Sequence, residues 1–196
     1  MRSPGNDLNL VRGLIYNEGI ISGLNSVESL TLEDDLAEVV LADDSQYNAS
    51  EHNRNILVTG SCGLCGRSEL HDHQLVKSNH KFSQKQIHDM HAMAMQQQQM
   101  FRETGGTHGA SAFNSKGDMI GCEEDVGRHN AMDKLTGHIL SESLEPSVCI
   151  LSGRVSYELV QKAIRSGYCI LSAVGSATTL AIQVAREHDL TLISFT

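Results

Sequence analysis

From Val148 to Phe195 short apolar runs alternate with segments of helical period, and this pattern constrains the fold more than any other feature of the chain. Val148-Cys149-Ile150-Leu151 reads as a strand, and Tyr157, Val160, Ala163 and Ile164 then recur at helical spacing until Gly167. A second strand, Cys169 to Val174, leads into a helix bearing Leu180, Ala181, Val184, Ala185 and His188. Thr191-Leu192-Ile193-Ser194-Phe195 is the last strand. Strand–helix–strand–helix–strand order predicts parallel strands joined by right-handed crossovers. Upstream, His108 to Phe113 and Met119 to Cys122 flank a polar turn and predict a β-hairpin. A helix from about His129 to Ser141 presents Met132, Leu135 and Ile139. From Thr104 onward the fold class is α/β, a sheet flanked by helices.

The first hundred residues are patterned differently. Arg2 to Asp7 reads as a turn, with Asp7 placed to cap a helix bearing Leu8, Val11, Leu14 and Ile15 and ended by Gly19. Val27 to Leu32, Glu38 to Leu41 and Ile56 to Val58 read as strands joined by acidic turns. Residues 1–60 are thus expected to be a small β-rich region, 61–81 a mobile loop carrying a Cys-x-x-Cys pair, and 82–196 the α/β domain. Ser83 with Gln86 predicts a capping box, opening a helix that runs to about Glu103. Its methionines are expected to fill core gaps, and Gln96 to Gln99 to form its solvated face.

Composition narrows the function classes. A net charge of −9 argues against general binding to nucleic acid or an anionic membrane. No apolar run approaches the roughly 18 residues of a membrane span, and the N-terminus lacks a signal-peptide core, so a cytoplasmic protein is expected. Five cysteines are an odd and unclustered set for a secreted disulfide scaffold, which also points to the reduced cytoplasm. Cys149 and Cys169 lie inside apolar runs and are expected to be inert core thiols, with Cys122 similar.

In open parallel sheets ligands gather beyond the C-terminal ends of the strands. Two such junctions are rich in polar groups: Ser152-Gly153-Arg154-Val155-Ser156 and Gly175-Ser176-Ala177-Thr178-Thr179. Helix amides, hydroxyls and, in the first junction, a guanidinium suit a phosphate-bearing ligand. Ordinary helix capping by Ser and Thr explains either junction alone. The dense block from Glu123 to Lys134 pairs His129 with Asp133 and Asn130 with Lys134 on shared helix faces, reading either as a solvated helix start or as polar recognition of a ligand. His108 opens a strand. A zinc nucleobase deaminase would need His-x-Glu before Pro-Cys-x-x-Cys, and neither the Glu nor the order is present.

The pair Cys62-Gly63-Leu64-Cys65 sits among Gly60, Gly63 and Gly66, with Arg67, His71 and His73 nearby. As a zinc site the pair would draw on His71 and His73, only a few residues away. As a thiol–disulfide motif it should open a helix, which its glycines disfavour. As a sulfur relay one thiolate would carry a terminal sulfur as a persulfide. Residue chemistry leaves all three open.

Five motifs together resemble a known family. They are Cys62-Gly63-Leu64-Cys65-Gly66, Gly105-Gly106-Thr107-His108, Glu124-Asp125-Val126-Gly127-Arg128-His129-Asn130-Ala131 with Asp133-Lys134, Ser152-Gly153-Arg154 with Ser156 and Glu158, and Gly13-Leu14 with Asn17-Glu18-Gly19-Ile20-Ile21. The first four occur in the order of the formate dehydrogenase accessory sulfurtransferase family, FdhD, and the N-terminal motif, with Arg2-x-Pro4-Gly5 before it, resembles that family too. The resemblance implies a cytoplasmic, homodimeric sulfur carrier with a fold like that of cytidine deaminases and no zinc. It would take persulfide sulfur from a cysteine desulfurase and deliver it to the molybdenum or tungsten of the bis(molybdopterin guanine dinucleotide) cofactor of formate dehydrogenase. Cys62 would carry the sulfur, with Cys65 assisting. His108, Arg128, His129, Lys134, Ser152, Gly153, Arg154, Ser156, Thr178 and Phe195 would contact the cofactor. The chain departs from the family pattern at Ala177, where a Pro is usual. The family's chains also begin upstream of Arg2 and continue past Phe195, so a truncated form is expected.

Overall fold

A computed structural model describes residues 1–34, 36–42 and 81–196. The predicted strand Ile56 to Val58 and the loop 61–81, apart from Lys81, lie outside the described residues. The chain opens with helix α1 (Asp7–Asn17), followed by a hairpin of β1 (Val27–Glu33) and β2 (Leu36–Leu41). Helices α2 (Gln84–Gln97) and α3 (Gln99–Thr104) come next, then β3 (His108–Phe113), β4 (Met119–Asp125) and α4 (Arg128–Ser141). The predicted alternation closes the chain: β5 (Val148–Leu151), α5 (Tyr157–Arg165), β6 (Ile170–Ala173), α6 (Thr179–Glu187) and β7 (Thr191–Ser194).

The main sheet has order β4-β3-β5-β6-β7, with β5, β6 and β7 parallel and β3 antiparallel to both its neighbours. It is a mixed sheet covered on both faces, which explains why its central strand β5 is apolar throughout. Cys149, Leu151, Leu171 and Ala173 face a core shared with α4, α5 and α6. Val148, Ile150 and Ile170 face Ile87, Met90 and Ala94 of α2. Cys149 and Cys169 are buried core thiols, as expected, and burial pushes the Cys149 thiol out of its ordinary range. Cys122 is only half-buried; its sulfur accepts a hydrogen bond from Ser111 Oγ at 3.2 Å.

Several local expectations are corrected. Ser83 and Gln86 do form the reciprocal capping box, but the helix it opens breaks at Gln98, whose ψ of 80° leaves helical geometry. Gln98 is also buried rather than solvated, because its amide packs over Gly109, where a Cβ would lie 2.5 Å from the Gln98 carboxamide carbon. Asp7 does not cap α1. The N-cap is Asn6 in a left-handed conformation, and the Asp7 carboxylate pairs with Arg2 instead. Helix α1 is packed against α4 so closely that the two backbones touch: a Cβ on Gly13 would lie 1.8 Å from the Asp133 carbonyl oxygen. The first helix is therefore part of the α/β body.

Strand β4 continues three residues beyond the predicted hairpin arm, to Asp125. Glu123, Glu124 and Asp125 consequently lie on a strand, and the solvated acidic helix start does not exist. Asp125 is fully buried and Glu123 nearly so. The Glu124 carboxylate accepts from the backbone N–H groups of Met100 and Phe101, closing the N-terminus of α3.

Candidate functional site

The two polar junctions predicted from the sequence meet beyond the ends of β5 and β6. Val174 N–H donates to Leu151, Gly175 N–H to Gly153, and Val155 N–H to Ser176, so the loops continue the parallel ladder past the strands. Gly175 allows this closeness: a Cβ there would stand 2.8 Å from both Arg154 N and Gly153 O. Ser152 locks the neighbouring strand, its hydroxyl accepting from Gly109 N–H at 2.8 Å while its own N–H donates to Gly109 O. The result is a backbone-braced floor on which side chains from four segments converge.

His108, at the start of β3, reaches across this floor. A Cβ at Gly153 would lie 3.0 Å from its Nδ1 and 3.9 Å from Arg128 Cδ. Glycine at 153 is thus what lets the imidazole pack against the loop, with the Arg128 stem beside it. Arg154 is exposed on the same loop. Burial lowers the His108 pKa, and the charges of Arg128, Arg154 and His129 lower it further. A cationic cluster therefore occupies one crevice of a chain whose net charge is −9. Two buried side-chain polar atoms among the described residues lack a hydrogen-bond partner, and one is Arg128 Nε. Buried polar groups are nearly always paired, so an unpaired guanidinium donor at the strand ends fits an anion acceptor.

His129, in the first turn of α4, lies on the rim. Its Nε2 is 2.9 Å from Glu158 Oε2 and 3.2 Å from Ser156 Oγ. The Glu158 carboxyl is held below its usual range chiefly by this hydrogen bond from His129, against an opposing effect of burial. Ser156 is buried, and its hydroxyl is turned to His129 rather than to the amides that open α5. Thr178 caps α6, its hydroxyl accepting from Ala181 N–H at 3.2 Å. Phe195 is 78% exposed just beyond β7, with a φ of 62°.

Lys134 is brought elsewhere. Its ammonium is buried 2.8 Å from Asp125 Oδ2 and donates to the Ser3 carbonyl at 3.0 Å and the Glu124 carbonyl at 3.4 Å. All three donors are spent on the protein, which corrects the reading of Lys134 as a ligand contact. Asp133 likewise turns inward to Lys162 at 2.5 Å and does not join His129. Cys62 and Cys65 lie outside the described residues. Glu158, the carboxylate paired with His129, is the neighbour to which the sequence assigns no contact; an acidic residue in the first turn of a helix reads as a dipole partner. Its proximity to His129 depends on the packing of α4 beside α5.

The chain has relatives both in sequence and in fold. The model of the FdhD/NarQ family matches residues 1–196. A sulfur carrier protein FdhD of Sulfurisphaera tokodaii is 38% identical over 199 residues, covering 100% of this chain and 76% of the relative. The protein of the same name from Nocardia farcinica is 36% identical over 217 residues, covering 100% of this chain and 75% of the relative. In three dimensions the fold is similar to the crystal structure of a candidate formate dehydrogenase accessory protein from Desulfotalea psychrophila. The TM-score is 0.72 at 20% identity, covering 100% of this chain and 76% of that one. A whole-chain family match and relatives of this identity carry the conclusion: the chain belongs to the FdhD/NarQ family.

Proposed function

We propose that this protein is a sulfur carrier that receives sulfur on Cys62 and passes it to a molybdenum or tungsten cofactor bound for formate dehydrogenase. The observation that carries the reading is the match of the entire chain to relatives that bear the name sulfur carrier protein. In the first step the Cys62 thiolate attacks the outer sulfur of a persulfide on a cysteine desulfurase. The donor's S–S bond breaks, the donor cysteine leaves as a thiolate, and a new S–S bond stands on Cys62, with no net oxidation. In the second step Cys65 attacks Cys62 Sγ. The outer sulfur leaves as hydrosulfide to the metal of the substrate cofactor, the thiol pair supplies both electrons, and an external dithiol reduces the resulting disulfide. Such chemistry needs reduced thiols, which places the protein in the cytoplasm in this reading.

The crevice supports the same reading. The proposed substrate is a bis(molybdopterin guanine dinucleotide), whose pyrophosphate bridges are anionic diesters. His108, Arg128 and Arg154 are the groups such a bridge would meet, with Gly153 giving it room to approach. His129, Ser156 and Thr178 would border it, and Phe195 offers an exposed ring at the same end of the sheet.

A reconstitution tests the whole sequence. The protein, a cysteine desulfurase, sulfur-labelled cysteine and sulfur-free formate dehydrogenase are combined, and label and activity are followed in the dehydrogenase. Wild type should transfer both, and Cys62→Ala neither. Activation at the wild-type rate by Cys62→Ala would refute the proposal.

A further inference from the structure

We infer that binding of a pyrophosphate diester in this crevice is coupled to the uptake of one proton by His108. This rests on the proposed use of the crevice for a dinucleotide-like ligand, and it adds a regulation of that site by pH. The basis is geometric. Among the described residues neither ring nitrogen of His108 has a hydrogen-bond partner, while the ring and the aliphatic stem of Arg128 both stand beside Gly153. The charged groups around it are one-sided. Helix α4 contributes Arg128 and His129, and the loop after β5 contributes Arg154. The acids on neighbouring elements are already engaged. Glu158 of α5 is held by His129. Asp125, the cross-strand partner of His108 on β4, is committed to Lys134. Glu124 of β4 closes the start of α3, and Glu103 of α3 accepts from Gln99.

Without an anion, the imidazole is kept neutral by burial and by the two guanidinium groups. A bound pyrophosphate diester carries two negative charges that offset those guanidinium groups, so the same imidazole gains a proton and a charged contact with the ligand. The sign follows from linkage. A group whose pKa is higher in the complex than in the free protein takes up protons on binding, and affinity rises as pH falls between the two values. In that window the expected gain approaches about tenfold per pH unit, the limit for uptake of one proton.

GDP-mannose is a suitable probe, because its pyrophosphate is a diester and keeps both charges across neutral pH. Calorimetric titration of the intact protein at pH 7.5, in two buffers of different ionisation enthalpy, reads the proton count directly. The expected result is net uptake approaching about one proton per ligand in wild type. In His108→Gln, checked for an unchanged unfolding midpoint, uptake should vanish and the affinity should become independent of pH between 6.5 and 8. If His108→Gln fails to fold, the same assignment is read in wild type from the His108 Cε1–H resonance, whose titration should move to higher pH on adding the probe. Binding with no proton uptake in wild type would overturn this inference while leaving the crevice's role intact. Uptake that persists in His108→Gln, or a His108 resonance that does not move, would overturn the assignment to this residue. No binding of the probe at all would sink the reading of the crevice itself.

Discussion

Asp125 and Lys134 show at the scale of single residues how the polar block is divided between support and ligand contact. Burial alone would raise the Asp125 carboxyl. Hydrogen bonds from Lys134, Gly127 N–H, Asn130 and Ser3 N–H more than reverse this and hold it below the ordinary carboxylate range. The pair stabilises by anchoring the N-terminal arm, since Ser3 bonds both partners. Lys134→Met should cost about 3–5 kcal/mol in urea unfolding, because a buried carboxylate would lose its counter-charge. A loss below about 1 kcal/mol, the range of a surface pair, would contradict the assignment. The pH dependence has a definite sign. A depressed folded-state pKa gives stability that is present above the unfolded value of about 3.9 and is lost as pH falls through the folded value. Wild type should therefore lose unfolding free energy steeply below about pH 4, and a Lys134→Met chain should lose less over the same interval. The sequence placed Asn130 and Lys134 on one helix face, and both do reach Asp125. What it could not show was that β4 runs on to Asp125 and turns that face inward. Burial of a charged pair is a tertiary fact with no local signature.

At the scale of elements, the strand–helix alternation of the second half was legible because each element is specified by a local period and closed by a local signal. Gly105 and Gly167, for example, both stand after a helix with positive φ, at 65° and 83°. The α1–α4 packing was not legible, because it rests on two glycines 124 positions apart that look like ordinary helix-weakening residues. A Cβ on Gly137 would lie 1.9 Å from the Asn9 carbonyl oxygen, and one on Gly13 is as badly placed. No rotamer change relieves a clash with backbone. Gly13→Ala should therefore destabilise by about 3 kcal/mol or more, the upper end of overpacking, despite alanine's better helix propensity. A rise in the thermal midpoint would show that α1 is not seated as described. Ser83→Ala is the mild counterpart: the loss of one cap should cost about 1 kcal/mol, read from chemical unfolding. The break at Gln98 escaped sequence reasoning because no Gly or Pro marks it. Tertiary packing of that side chain over Gly109 accompanies it.

For the whole molecule, the fold brings two loops, one strand start and one helix start to the same end of the sheet, and sets cationic groups there in an acidic protein. Separating that crevice from Cys62 in experiments is straightforward. Arg154→Ala should weaken GDP-mannose binding by about tenfold or more, as expected for loss of one charge-assisted contact, while leaving the first sulfur transfer intact. An unchanged affinity would remove Arg154 from the site. The central claim, however, concerns the thiol. The most direct test is intact-protein mass spectrometry after incubation with a cysteine desulfurase and cysteine. The account predicts a mass gain of one sulfur atom that is discharged by dithiothreitol, absent in Cys62→Ala and retained in Cys65→Ala. A gain that survives in Cys62→Ala, or no gain in wild type, would contradict it.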